Sequence, residues 1–121
     1  MAKHDLEDRL IQFAKAVCQI GATLPRSPLG QHVSLQLARS STSPFANYGE
    51  VQSAESRRDF IHKLGICLKE LREARTWLKF LREMDLCAVA SLDSALRECD
   101  ELLAIIASSI QTARRNGERE N

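Results

Sequence analysis

Leu6, Leu10, Phe13, Val17, Ile20 and Leu24 recur at alternating steps of four and three. Phe60, Leu64, Cys67, Leu71, Ala74, Leu78 and Leu81 keep the same rhythm, as do Leu92, Leu96, Cys99, Leu103, Ile106 and Ile110. A step pattern averaging 3.5 returns each apolar side chain to one face of an α-helix, whereas a strand needs a period of two. Each of these segments must therefore bury one stripe against other helices. Only four Phe, one Trp and one Tyr are present, so the aromatic content that favours sheet is lacking.

The segments have readable ends. The first helix is expected from Asp5 to Thr23, with Asp5 as cap and Glu7 and Asp8 favourable in the first turn. Pro25 closes it, because the residue before a proline avoids the α region. Ser27 followed by Pro28 reads as an N-cap and first helical position. A second helix follows, with Val33, Leu35, Leu37 and Ala38 as apolar members. It meets Pro44, which removes one hydrogen bond and crowds the preceding turn. Small hydroxyl side chains upstream can bond back to freed carbonyls. One Pro-kinked helix from Leu29 to about Gln52 is expected; the alternative is a helix, a break and a short helix. The third and longest helix is expected from Ala54 to Met84, with Ser53 and either Glu55 or Ser56 as its start signal. The connection 85–90 leads to a fourth helix opened by Ala90 or Ser91 and stopped by Asn116-Gly117. The polar end GEREN reads as frayed.

A chain of 121 residues makes one domain, here 1–117 with the polar tail 118–121. Hydrophobic residues make up 44% and charged residues 27%, enough apolar matter for a packed core. Four amphipathic helices on short links are buried most simply as an all-α, up-down-up-down four-helix bundle. The formal net charge of +1 gives no overall field toward nucleic acid or membrane, so any basic surface is local. No apolar run approaches the ~18–20 residues of a membrane span, and MAKHDLEDRL has no hydrophobic signal core. Cys18, Cys67, Cys87 and Cys99 form no CxxC pair and no zinc-ligand spacing. They read as reduced, mostly buried cysteines of a cytoplasmic protein.

The third helix carries more apolar surface than one stripe requires. At about 100° per residue, Phe60, Cys67, Leu71, Ala74 and Leu78 share an arc, while Ile66, Trp77 and Phe80 point away from it. A helix apolar on two sides must be covered on two sides. A subunit interface built on Ile66, Trp77 and Phe80 supplies the cover, since Trp and Phe are typical anchors. The competing reading is that Trp77 covers a flank of the monomer core. The same helix places Arg72, Arg75, Lys79 and Arg82 within an arc of roughly 80°. Repeated around an oligomer, such a stripe can hold a phosphate backbone of RNA or DNA. Alternatively Glu70, Glu73 and Glu83 pair with these cations and leave an ordinary solvated face.

Chemistry finds little purchase. His4, His32 and His62 stand apart along the chain, and a five-residue offset between His62 and Cys67 aims the two side chains in different directions. There is no glycine-rich phosphate loop, no HExxH and no Glu-x-x-His pair. Glu50 and Asp59 are isolated carboxylates. No catalytic residue, metal site or cofactor is expected.

The stretch RSSTSPFANYGEV, from Arg39 to Val51, holds the most distinctive residues. Its small side chains allow close approach of a neighbouring helix. Asn47, Tyr48 and Glu50, placed beyond Pro44, can reach the third helix or a neighbouring subunit. With the segments laid out, the chain resembles the bacterial four-helix bundle proteins encoded by intervening sequences in 23S ribosomal RNA genes. The resemblance rests on the 45 residues from Leu37 to Leu81. It is carried by Arg39, Ser40, Thr42, Ser43, Ala46, Asn47, Tyr48 and Glu50, then Ser56, Asp59, Phe60, Ile61 and Lys63, then Lys69, Glu70, Trp77 and Leu78. Val51 stands where the family usually has Ala, and Thr76 where an aromatic often precedes the Trp. The resemblance implies a left-handed bundle and ring-shaped homopentamers, and it supplies no enzymatic activity. A more distant relative in shape is the accessory variability protein of diversity-generating retroelements. That protein works with a reverse transcriptase and binds nucleic acid through a basic oligomeric surface.

The sequence therefore points to a non-enzymatic, homo-oligomeric helical bundle acting as a scaffold or nucleic-acid-binding accessory factor. The alternative is a protein-interaction module that docks one partner, such as a reverse transcriptase or another polymerase.

Overall fold

A computed structural model describes residues 3–120, and four α-helices account for nearly all of them. They are α1 (Lys3–Ala22), α2 (Pro28–Val51), α3 (Arg57–Met84) and α4 (Val89–Glu120). Each junction has a local cause. At the end of α1 the Thr23 hydroxyl donates to the Ile20 carbonyl at 2.7 Å, and the Leu24 amide donates to Gly21 at 3.2 Å. These bonds satisfy carbonyls that a helix end leaves without partners. Ser27 then caps α2, its side chain accepting from the Gly30 amide at 3.1 Å, with Pro28 in the first turn. Ser56 caps α3 by accepting from the Asp59 amide at 3.0 Å, and Asp59 in turn accepts from the Glu55 amide at 3.2 Å. Asp85 closes α3 in the left-handed conformation, φ 54°.

Several boundaries differ from the sequence expectation. Asp5 lies inside the first turn of α1 rather than capping it. The third helix starts three residues later than expected, because Ser56 rather than Ser53 finds the amide three positions on. The fourth does not stop at Asn116-Gly117 but continues to Glu120. Gly117 has no positive φ and packs against Arg57, where a Cβ would sit 3.2 Å from the Arg57 Cδ. Lateral contact, not backbone freedom, is what that glycine provides.

α2 runs unbroken through Pro44, so the helix–break–helix alternative falls away. The upstream hydroxyls do bond back: Ser40 to the Gln36 carbonyl at 2.8 Å and Thr42 to the Ala38 carbonyl at 2.7 Å. Ser40, Ser41 and Pro44 are buried. Small side chains bring α1 and α2 close, with a Cβ at Gly21 falling 3.1 Å from Ser34 Oγ and Cys18 Sγ lying 3.8 Å from Ser41 Oγ.

Among the described residues α1 packs on α2 and α4, and α3 packs on α2 and α4, with no diagonal pair. Partner numbers fall on one helix as they rise on the next. Cys18 meets Ser41 and Gly21 approaches Ser34; Arg39 meets Glu70 and Pro44 meets Cys67; Arg75 meets Asp100 and Arg82 meets Asp93. Successive helices are thus antiparallel, and the four close into a bundle around a single core. Leu10, Val17, Leu37, Leu64, Leu71, Leu78, Leu92 and Ile106 are fully buried there. Each such side chain contributes about 1.5–3 kcal/mol of burial. Two core assignments shift: Leu35 is 67% exposed, and Leu102 is fully buried while Leu103 is only partly so.

Candidate oligomer and nucleic-acid interface

α3 presents three sides beside its core stripe. Toward α2, Arg39 binds Glu70 at 3.1 Å and also pairs with Glu73, while its Nε donates to Gln36 at 3.2 Å. Glu70 and Glu73 therefore engage a cation on α2, not the arginines of their own helix. One turn further, Trp77 meets the His32 ring edge-to-face at 5.7 Å and the Phe80 ring at 6.2 Å. Trp77 and Phe80 both lean on the core and both remain half-buried, as does Ile66. One chain covers part of each side chain and leaves the rest to solvent. Beside Trp77 lies a cleft of about 380 Å³ bounded by Arg39, Arg72, Glu73 and Thr76.

Toward α4 the basic stripe divides. Arg75 donates to Asp100 at 2.6 Å and Arg82 to Asp93 at 3.4 Å. The Asp100 hydrogen bond is the main cause that holds the Arg75 guanidinium still more firmly protonated. Arg72 and Lys79 are exposed and form no ion pair among the described residues. Of the four stripe cations, two close a helix–helix boundary and two stand free. Arg9 performs the same closing task between α1 and α4, reaching Glu98 and, at 2.7 Å, Glu101. With their side chains partly exposed, such pairs each contribute about 0–1 kcal/mol.

The residues around Pro44 act mainly within α2. Asn47 donates to the Ser43 carbonyl at 2.9 Å and to its hydroxyl at 3.0 Å, so it does not bridge to α3. Tyr48 is buried, which raises its pKa, with the charge of Glu7 adding to the effect. Glu50 is exposed. The link to α3 is made instead by Cys67, whose thiol donates to the Pro44 carbonyl at 3.4 Å. Burial pushes the Cys67 and Cys99 thiols up to about 12, the opposite of an activated thiolate. His62 is exposed, and the side chain of His4 lies outside the described residues. No cluster of three His, Cys, Asp or Glu suited to a metal occurs among the described residues, and none of their helices is long and apolar enough to cross a membrane.

Sequence reasoning missed a groove of about 880 Å³ between α1 and α4. Phe13, Ala16 and Ile20 form one wall, Ala90, Ser94 and Ala95 the other, with Cys87 at its end. The signal was the run of small residues opening α4, which keeps that helix from filling the space against α1.

Comparison with known proteins agrees with the four-helix fold. The chain is similar to a crystallographically determined protein of unknown function from the S23 ribosomal protein family of Bacteroides thetaiotaomicron. The two share 31% identity over 92% of this chain and 99% of the other, with a TM-score of 0.83. No curated protein matches. The family model for the 23S rRNA-intervening sequence protein matches residues 3–108, a span that takes in α1, α2, α3 and more than half of α4. With its Pro44 segment and its Trp77 face inside that span, the chain belongs to the 23S rRNA-intervening sequence protein family.

Proposed function

We propose that this chain is a subunit of a non-enzymatic homo-oligomer, a cytoplasmic helical scaffold that holds RNA or DNA as an accessory factor. The observation that carries the reading is the half-covered face of Ile66, Trp77 and Phe80 on α3. Rings packed edge-to-face on one side and open on the other suit a neighbouring subunit, which would bury the remainder. A pentamer is the stoichiometry we expect, from the likeness to ring-forming bundles. Arg72 and Lys79 are the stripe cations available to phosphate, and five copies would repeat them around the assembly. Four free thiols suit a reducing compartment.

Solution mass by light scattering tests the assembly: a multiple of 13.6 kDa is expected, and Trp77→Glu should reduce it to the monomer. A wild-type monomer would remove the reading. Retention of single-stranded RNA that weakens with salt tests the accessory role.

A second reading is favoured by the groove between α1 and α4. Its small side chains leave room for one helix of a protein partner such as a polymerase. Recovery of a single partner that survives nuclease treatment, and that is lost when Ala16 and Ser94 are enlarged to Trp, would favour it over the first.

A further inference from the structure

Arginines gather at the end of the bundle where α3 begins and α4 finishes. Arg57 and Arg58 occupy the first two positions of α3, and Arg114, Arg115 and Arg119 lie in the last turns of α4. The contact between Gly117 and Arg57 brings the two helix ends together. All five are exposed. Arg58, Arg114, Arg115 and Arg119 form no ion pair among the described residues. Of the acids described nearby, Asp59 is engaged by Lys63 at 3.1 Å and by the Glu55 amide, while Glu118, on the same turns of α4, forms no ion pair among the described residues. Arg9, Arg39, Arg75 and Arg82, along the body of the bundle, are by contrast each held by a carboxylate on another helix.

Two features distinguish this cluster from ordinary surface charge. Cations at the end of α4 suit the helix dipole, but Arg57 and Arg58 sit at the positive end of α3, where the dipole disfavours them. Arg58, which has no ion pair among the described residues, thus holds positive charge at a helix end that does not favour it. The cluster is also arginine alone, with no lysine in 53–59 or 111–119. Guanidinium forks match phosphate oxygens in pairs, which an ammonium does not. A lipid surface fits poorly, because Gln111–Arg119 carries no large apolar side chain to enter a membrane.

We propose that this end of the bundle is a docking surface for the phosphate backbone of a single-stranded nucleic acid, contacted through Arg58, Arg114, Arg115 and Arg119. The proposal rests on the nucleic-acid reading above and moves its main contact from the α3 stripe to the bundle end.

The test uses the full chain and a fluorescent 20-nucleotide oligouridine, followed by anisotropy across a salt series. Relative to wild type, R58Q/R115Q/R119Q should bind about tenfold or more weakly, with a salt slope shallower by about two, since each lost single-strand phosphate contact removes ~0.7. R58Q should melt no lower than wild type, because it relieves the dipole conflict, so lost binding is not lost folding. An unchanged affinity in the triple variant, with binding abolished by R72Q/K79Q, overturns this proposal and leaves the broader reading standing. Absence of wild-type binding at low salt overturns both. Binding to phosphatidylserine vesicles but not to oligouridine also overturns it.

Discussion

The Cys67 thiol donates to the Pro44 main-chain oxygen across 3.4 Å, joining the centre of α3 to the proline in the interior of α2. Both residues are fully buried. The Ser-Thr-Pro segment is therefore a close-packing surface: its small side chains admit a neighbouring helix, and the thiol is the polar group that meets it. Cys99 makes the matching contact from α4, to the Leu71 carbonyl at 3.4 Å.

These two thiols make stability fall with alkali, as the smaller upward shifts of Tyr48 and Cys87 do. Burial in the folded chain pushes Cys67 and Cys99 up to about 12, against 9.0 for an unhindered cysteine. Their contribution is fully present below pH 9 and is lost as pH rises from there toward 12, where the unfolded chain ionises and the folded one does not. Each thiol contributes a slope of up to about 1.4 kcal/mol per pH unit. Urea denaturation at pH 7.5 and 10.5 should show a larger loss for wild type than for C67A/C99A. Equal losses would mean that the thiols ionise normally in the fold.

Glycine positions should respond with opposite signs. A Cβ on Gly30 would lie 1.8 Å from the Pro25 carbonyl oxygen, a backbone atom that cannot move aside cheaply. Gly30→Ala should destabilise by roughly 1–3 kcal/mol. Gly49, exposed within α2, has nothing within 4 Å of such a Cβ, so Gly49→Ala should stabilise by about 0.5–1 kcal/mol. Thermal melts of the two variants check the contrast.

Asp85 is the one non-glycine residue with positive φ among those described. Left-handed backbone strains an L side chain, and glycine relieves it. Asp85→Gly should raise stability by about 0.5–1 kcal/mol, and Asp85→Val should lower it. A melting point for the glycine variant below that of wild type would show that the Asp side chain contributes more than the strain it imposes.

Freeing the paired arginines should strengthen nucleic-acid binding, if the α3 stripe takes part. In D93N/D100N, Arg82 and Arg75 lose their α4 partners and become available to phosphate. The salt slope for oligouridine should steepen by about 1.4, at ~0.7 per added contact. Stability should fall by no more than about 1 kcal/mol per pair. An unchanged slope would confine binding to surfaces other than the stripe.

Much of this architecture was legible in advance because it depends on local periodicity. Leu10, Val17, Leu71, Leu78 and Ile106 announce their buried faces by spacing alone, and Ser27-Pro28 announces the start of α2. The candidate site was less legible. Arg72, Arg75, Lys79 and Arg82 look alike on a helical wheel, and nothing in their spacing foretells which will meet an aspartate on α4. Glu70 and Glu73, expected beside their own arginines, turn to Arg39, which lies 31 residues from Glu70 in the chain.

The sequence by itself determined the number of helices, their stripes and the Ser27-Pro28 start of α2, because those follow from forces acting within a few residues. Tertiary structure alone decided which cations stay free, why Gly117 lets α4 continue, how much of Trp77 one chain can cover, and that a groove opens between α1 and α4. The physical reason is that each of these depends on which helix lies alongside, and side-chain spacing within one helix carries no record of its neighbour's charges or volume.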